Sequence, residues 1–378
     1  MGTPKPKIAC VVGTRPEAIK MAPVVAELRR FSDQVETKLV STGQHREMLA
    51  QALGAFGLEP DIDLAIMQHG QTLAEVTARA LAGIDRVIET EKPAFVIAQG
   101  DTTTTFCAAL AAFYRQAPFA HVEAGLRTET IDNPFPEEFN RRAATLVTRL
   151  HFPPTAWARD NLLRERVAPG DIHVTGNTGI DAVLAVAERE PEAWDFGGRR
   201  LIVLTTHRRE NWGEPQHNIA RAARRLLEAH PDSVLVVAMH RNPTVRDVLH
   251  AELDHPRAQL IEPPDYGRFV KLMQAATLIL TDSGGVQEEA PAFGVPVLVL
   301  RTTTERPEGV EAGTAKLVGT DEEAVFAEGD RLLRDPAAHA AMAKAASPYG
   351  DGQAAARIRY VLLSRLGVDT AAVPMWEA

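Results

Sequence analysis

Short apolar runs alternate with longer stretches of helical spacing along almost the whole chain. The first run is Lys7-Ile8-Ala9-Cys10-Val11-Val12, followed by a helix that begins near Ala18. Glu36 to Ser41, Ala94 to Ala98, Phe119 to Val122, Leu201 to Thr206, Ser233 to Met239, Leu278 to Leu280 and Val295 to Leu300 read as further strands. Helical spacing runs from Thr72 to Glu89, from Arg141 toward Leu150, from Phe269 to Ala276 and from Ala324 onward. Strands that are apolar without alternation are buried on both faces, so the pattern predicts an α/β fold of parallel sheets covered by helices. The charged, weakly patterned stretch from Glu188 to Arg200 separates two such series. Two Rossmann-like domains are expected, over about residues 1–175 and about residues 176–359.

Open α/β sheets bind ligands beyond the carboxyl ends of their strands, which makes the polar turns there the candidate site. Arg15 and Lys20 follow the first strand, Gln44 and His45 the second, Asp101 the strand that closes on Gly100, and Glu123 the strand ending at Val122. Pro134 to Arg142 reads as a charged, Pro-bounded loop carrying Glu137 and leading to Arg141. In the second half His207 and His240 follow successive strands. Ser283-Gly284-Gly285 then follows an apolar strand and opens a helix that carries Glu289. Helix-start amides beside glycines form an anion site, and the carboxylate one turn on is placed for sugar hydroxyls. Each feature has a plainer reading: a surface ion pair, a helix cap at Asp101, a structural imidazole, an ordinary strand-to-helix turn. Asp101, Glu123 and Glu137 together crowd like charges, which should raise at least one pKa and separate an acid from a base.

Composition narrows the ligand. A net charge of −9 excludes a nucleic-acid-binding face, so a phosphate site must be local and its ligand small. Cys10 and Cys107 are too few for a disulfide framework or a metal cluster and read as buried fillers. No apolar run reaches the roughly 20 residues of a membrane span, and no secretory leader opens the chain, which points to the cytoplasm. His207 and His240 lack metal-ligand spacing and there is no G-x-G-x-x-G fingerprint, so neither metal nor cofactor is expected.

Seven motifs in order then carry a specific resemblance. They are Gly13-Thr14-Arg15-Pro16-Glu17-Ala18-Ile19-Lys20, Gly100-Asp101-Thr102, His121 to Arg127, Pro134-Phe135-Pro136-Glu137-Glu138, His207 to Asn211, Asp282-Ser283-Gly284-Gly285 and Glu305-Arg306-Pro307-Glu308. Together they resemble the bacterial non-hydrolysing UDP-N-acetylglucosamine 2-epimerases, which have the two-domain glycosyltransferase-B fold. The resemblance implies two domains facing across a cleft, a final helix that crosses back to the first domain after about residue 360, and a homodimer. It also implies C2 inversion by elimination of UDP and re-addition through 2-acetamidoglucal. On that reading Asp101, Glu123 and Glu137 form the acid/base group, and His207 and Arg15 support the leaving diphosphate. Ser283, Gly284, Gly285 and Glu289 grip UDP, Phe269 lies near the uracil and Arg306 toward the sugar; Lys20, Arg141 and His240 complete the substrate contacts. The alternatives are a hydrolysing 2-epimerase, a glycosyltransferase of the same fold and a non-catalytic sensor.

Some members of that family also hold a second UDP-N-acetylglucosamine as an activator. This chain keeps Gln44, Gln71, Glu137, Arg208 and His240 at the corresponding positions but has Glu47 where those members carry Gln and Gly70 where they carry Arg. Losing a cation and gaining a carboxylate both oppose a dianionic ligand.

Overall fold

The computed structural model describes residues 5–43, 46–68, 70–128, 130–240, 242–304 and 306–377, with only the backbone described for residues 46–48. The chain divides into two compact units, residues 1–185 with 350–378, and residues 186–349. The first unit holds a parallel sheet of β1 (Lys7–Val12), β2 (Glu36–Ser41), β3 (Ile62–Asp63), β4 (Phe95–Gln99), β5 (Phe119–Val122) and β6 (Thr148–Phe152). Their order is β3-β2-β1-β4-β5-β6. The second holds β7 (Arg200–Thr205), β8 (Ser233–Ala238), β9 (Ala258–Ile261), β10 (Ala276–Thr281), β11 (Val297–Val299) and β12 (Ala315–Leu317), in the order β12-β11-β10-β7-β8-β9. Counted from its own first strand, each sheet has the same doubly wound order, and each reverses direction beside that strand, at β1/β4 and at β7/β10.

The central strands are the continuous apolar runs. Ile8 to Val12 and Phe95 to Gln99 are buried throughout, with Cys10 in register against both Leu39 and Ile97. Cys10 and Cys107 are buried, and burial raises both thiols to about 12, as expected of fillers. The edge strands β3, β9 and β12 escape the sequence pattern because they are short and half exposed.

Three boundaries differ from expectation. The first helix starts at Arg15, not near Ala18, because Glu17 reaches back to cap the Gly13 and Thr14 amides at 3.0 and 2.6 Å. Pro134 to Arg142 is not all loop: the helix Glu137–Thr145 takes its charged residues, and the stretch toward Leu150 is β6. The unit boundaries fall at 185/186 and 349/350 rather than near 175 and 360. Asp181 explains the second shift, since its carboxylate accepts from the amides of Ala354 and Ala355 at 3.2 and 2.8 Å and ties the start of the helix Ala354–Arg365 to the first unit. That helix also places the Arg359 guanidinium 4.9 Å from the ring of Phe31.

Candidate active site

In the first unit the turns after β1, β4 and β5 come together. Gly13 permits this: a Cβ there would stand 2.1 Å from Thr104 Oγ1 and 2.7 Å from Thr42 Oγ1. Glu17, fully buried, accepts from Thr102 Oγ1 at 2.5 Å and from Thr105 Oγ1 at 3.2 Å as well as from its own turn, so one carboxylate clamps the β1 and β4 exits. Burial pushes the Glu17 carboxyl up, and bonds from Thr102, Thr14 and Gly13 oppose that push. The capping-box spacing from Thr14 to Glu17 was visible in sequence; the two threonine donors from another turn were not.

This clamp sets Asp101 in place. His121, fully buried in β5 and kept neutral by that burial at a pKa of about 4, lies 2.7 Å from the carbonyl of Gly100. A carbonyl only accepts, so Nε2–H donates. Asn140 Nδ2 donates to the Asp101 carbonyl at 2.8 Å, and Arg141 Nη1 lies 3.2 Å from its carboxylate. Burial raises the Asp101 carboxyl above its ordinary value; Arg141 opposes this, Glu137 adds to it and Lys20 opposes it. The expected raised carboxyl therefore exists, with burial ahead of like-charge crowding as its cause. Lys20 Nζ donates to the Glu123 carboxylate. Arg141 and Arg142 both pair with the buried Glu138, at 2.8 and 2.6 Å, which fixes the helix that presents Glu137.

Lys20, Asp101, Glu123, Glu137 and Arg141 thus form one polar cluster. Arg15 stands half-buried at the start of the first helix. Gln71 has both ends of its amide engaged locally, Oε1 by the Gln68 amide at 2.6 Å and Nε2 by the Ile66 carbonyl at 3.1 Å. Gln44, His45 and Glu305 lie outside the described residues, as does the side chain of Glu47.

The second unit builds its site on the turns after β7, β8 and β10. Ser283 stands at the N-cap position of the six-residue helix Gly284–Glu289 without a side-chain capping bond, so the glycine pair lies inside the first helical turn rather than ahead of it. Its amide donates to Thr281 Oγ1 at 2.9 Å. The Glu289 carboxylate folds back to 3.9 Å from the Cβ position of Gly285, and the Arg306 guanidinium carbon lies 2.9 Å from that of Gly284. Arg306 Nε also donates to Glu288 at 2.9 Å. Ser283, Gly284, Gly285, Glu289 and Arg306 are therefore assembled around one turn. Phe269 sits half-buried in the first turn of the helix Tyr266–Ala275, whose end runs into β10.

Asp282, fully buried, gathers the β7 exit. Its carboxylate accepts from the amides of His207 and Arg208, from Thr206 Oγ1 and from Asn211 Nδ2, all at 2.9 to 3.1 Å, and His207 Nδ1 lies 2.9 Å from Oδ1. Burial pushes this carboxyl up, and the bonds from His207 and Arg208 outweigh it, so the group stays below its ordinary value. The His207 and His240 rings are 6.1 Å apart, and exposed His240 accepts the Asn242 amide at Nδ1. Arg208 starts the short turn that follows, with its Nε buried.

Residues 26–363 match the family described as UDP-N-acetylglucosamine 2-epimerase. The UDP-N-acetylglucosamine 2-epimerase of Bacillus subtilis strain 168 is 49% identical over 367 residues, 96% of each chain. The structure of UDP-GlcNAc 2-epimerase from Neisseria meningitidis bound to UDP-GlcNAc is similar at a TM-score of 0.84 and 43% identity, over 95% of this chain and 100% of that one. The Methanocaldococcus jannaschii enzyme, in complex with UDP-GlcNAc and UDP, is similar at 0.75 and 32% identity, over 95% and 99%. The match covers nearly the whole chain and both clusters of polar turns, and the chain belongs to the UDP-N-acetylglucosamine 2-epimerase family.

Proposed function

We propose that this protein interconverts UDP-N-acetylglucosamine and UDP-N-acetylmannosamine without net hydrolysis. The observation that carries the reading is the cluster of Asp101, Glu123 and Glu137 with Lys20 and Arg141, in a chain of this family. Inversion at C2 requires a base to take the C2 proton as the C1–O bond breaks and UDP leaves with the bonding pair. The resulting 2-acetamidoglucal takes UDP back at C1 and a proton on the opposite face of C2. Carboxylates held at different protonation states suit those two transfers. Burial raises the Asp101 carboxyl while Lys20 donates to the Glu123 carboxylate, so the two acids stand in different electrostatic surroundings. His207 and Arg15 are assigned to the departing diphosphate, Ser283, Gly284, Gly285 and Glu289 to UDP, Phe269 to the uracil, and Arg306 and His240 to further substrate contacts.

The decisive experiment incubates UDP-N-acetylglucosamine with the protein in deuterium oxide. Deuterium should enter C2 while the two epimers equilibrate and the UDP-sugar total stays constant. Free UDP and free sugar rising in step with turnover would favour a hydrolysing enzyme, and an unlabelled, unchanged substrate would end the epimerase reading.

A homodimer is part of the same proposal. The helices Thr103–Tyr114 and Glu137–Thr145 leave Phe113, Phe139 and Leu146 exposed, Leu146 by 85%. Large apolar side chains so exposed on one face mark an association surface. Light scattering should give a dimer that Phe113→Lys with Leu146→Lys dissociates.

A further inference from the structure

We propose that Asp282 is a positioning residue for His207, holding the imidazole as its Nδ1–H tautomer with Nε2 turned to the ligand side. The inference rests on the assignment of His207 to the diphosphate and supplies what that assignment lacks, a reason for one ring nitrogen to face outward.

Asp282 is fully buried yet ionised, because its two oxygens collect the Thr206 hydroxyl, two backbone amides and the Asn211 amide. An ionised carboxylate is an acceptor only, so the nitrogen at 2.9 Å, Nδ1 of His207, must be the donor. The His207 side chain is 40% exposed, and with Nδ1 turned to Asp282 the nitrogen left to meet a ligand is Nε2. The His207 amide is held by the same carboxylate at 2.9 and 3.1 Å, so backbone and ring are fixed by one group and the side chain has little rotational freedom. Asn211 carries the frame further, donating from its amide nitrogen to both Asp282 and the Leu300 carbonyl.

Asp282 adjoins Ser283 in sequence, but the two act on different groups. The Ser283 amide is held by Thr281 Oγ1, and the Asp282 side chain turns to the β7 exit. Removing the carboxylate should therefore disturb His207 more than the Ser283 turn. Asparagine is the informative replacement: it has the same shape, but its NH₂ group confronts donors where the carboxylate presented lone pairs. The relief is for the amide to donate to Nδ1, which selects the opposite tautomer.

The test uses the full chain with nitrogen-15-labelled histidine. In the unvaried protein, neutral His207 should show a protonated Nδ1 and an unprotonated Nε2, and Asp282→Asn should exchange the two. An Nε2–H tautomer in the unvaried protein, or an unchanged spectrum in the variant, overturns the proposal. Turnover provides the second arm: Asp282→Asn should lower kcat on the order of 10²-fold while KM changes little, and should cost almost nothing further in a His207→Ala background. Equal losses in both backgrounds would show Asp282 acting independently of His207. The tautomer measurement needs no substrate, so it decides the role of Asp282 even if the deuterium experiment rejects the epimerase reading.

Discussion

Lys20 donates its ammonium to the carboxylate of Glu123, a residue that holds a left-handed backbone conformation with φ of +62°. The chain bends there directly after β5, and the bend aims the side chain back toward the first helix. A β-carbon in the left-handed region costs roughly 1–2 kcal/mol.

That cost can be isolated. Glu123→Ala and Glu123→Gly both remove the carboxylate that Lys20 meets, but only glycine is at ease at this φ. The glycine variant should be more stable than the alanine variant by about 1 kcal/mol in denaturant unfolding, and both should lose turnover. Equal stability of the two would mean that Glu123 stores no backbone strain.

Arg141→Met tests what sets the protonation of Asp101. Burial raises this carboxyl and Arg141 holds it back, so removing the guanidinium should move it further up. The limb of the pH–rate profile that depends on Asp101 should shift to higher pH. A limb that stays in place or moves down would remove Arg141 from the control of Asp101.

The second nucleotide-sugar site should be weak or absent. The family resemblance implies a cation where this chain has Gly70, and both ends of the Gln71 amide are taken up by its own loop. A lost charge-assisted bond is about 1.5–3 kcal/mol, or ten-fold or more in affinity. Purified UDP-N-acetylmannosamine should therefore be converted without a lag and without added UDP-N-acetylglucosamine. A lag abolished by traces of the glucose-configured sugar would show that the site works.

Asp181 gives the stability a pH dependence of known sign. Burial raises its carboxyl from 3.8 to about 7, although the Ala355 and Ala354 amides pull it back. A raised carboxyl stabilises most when protonated. Its contribution is complete below the unfolded value of 3.8 and is lost as pH rises through about 7. Asp181→Asn should remove this slope, so the melting temperature of the unvaried protein minus that of the variant should fall between pH 4 and pH 8. The underlying change is on the order of a few kcal/mol. A constant difference across that range would mean that Asp181 titrates normally.

The turns that hold the site were legible because their position depends on local pattern alone. Val12, Gln99, Val122, Thr205 and Thr281 each end a buried strand of a parallel sheet, and the polar residues just beyond them had to collect along one edge. Where the pattern is weak, the structure departs from it. Glu137 reads as a loop residue because its helix is short and turns mostly polar residues inward, Glu138, Asn140, Arg141 and Thr145 among them. β3, β9 and β12 lack a clear apolar signature because these edge strands are buried only in part.

Apolar periodicity over a few residues dictates the alternation of strand and helix, the parallel sheets and the strand-end turns. Which donors each buried carboxylate collects depends instead on the folded arrangement of the strands. Glu17 takes Thr102 from 85 positions away and Asp282 takes His207 from 75 positions away, and no local pattern encodes either choice. Those pairings arise because the strand order brings β1 beside β4 and β7 beside β10, and because a carboxylate buried at that junction must be met by every donor within reach.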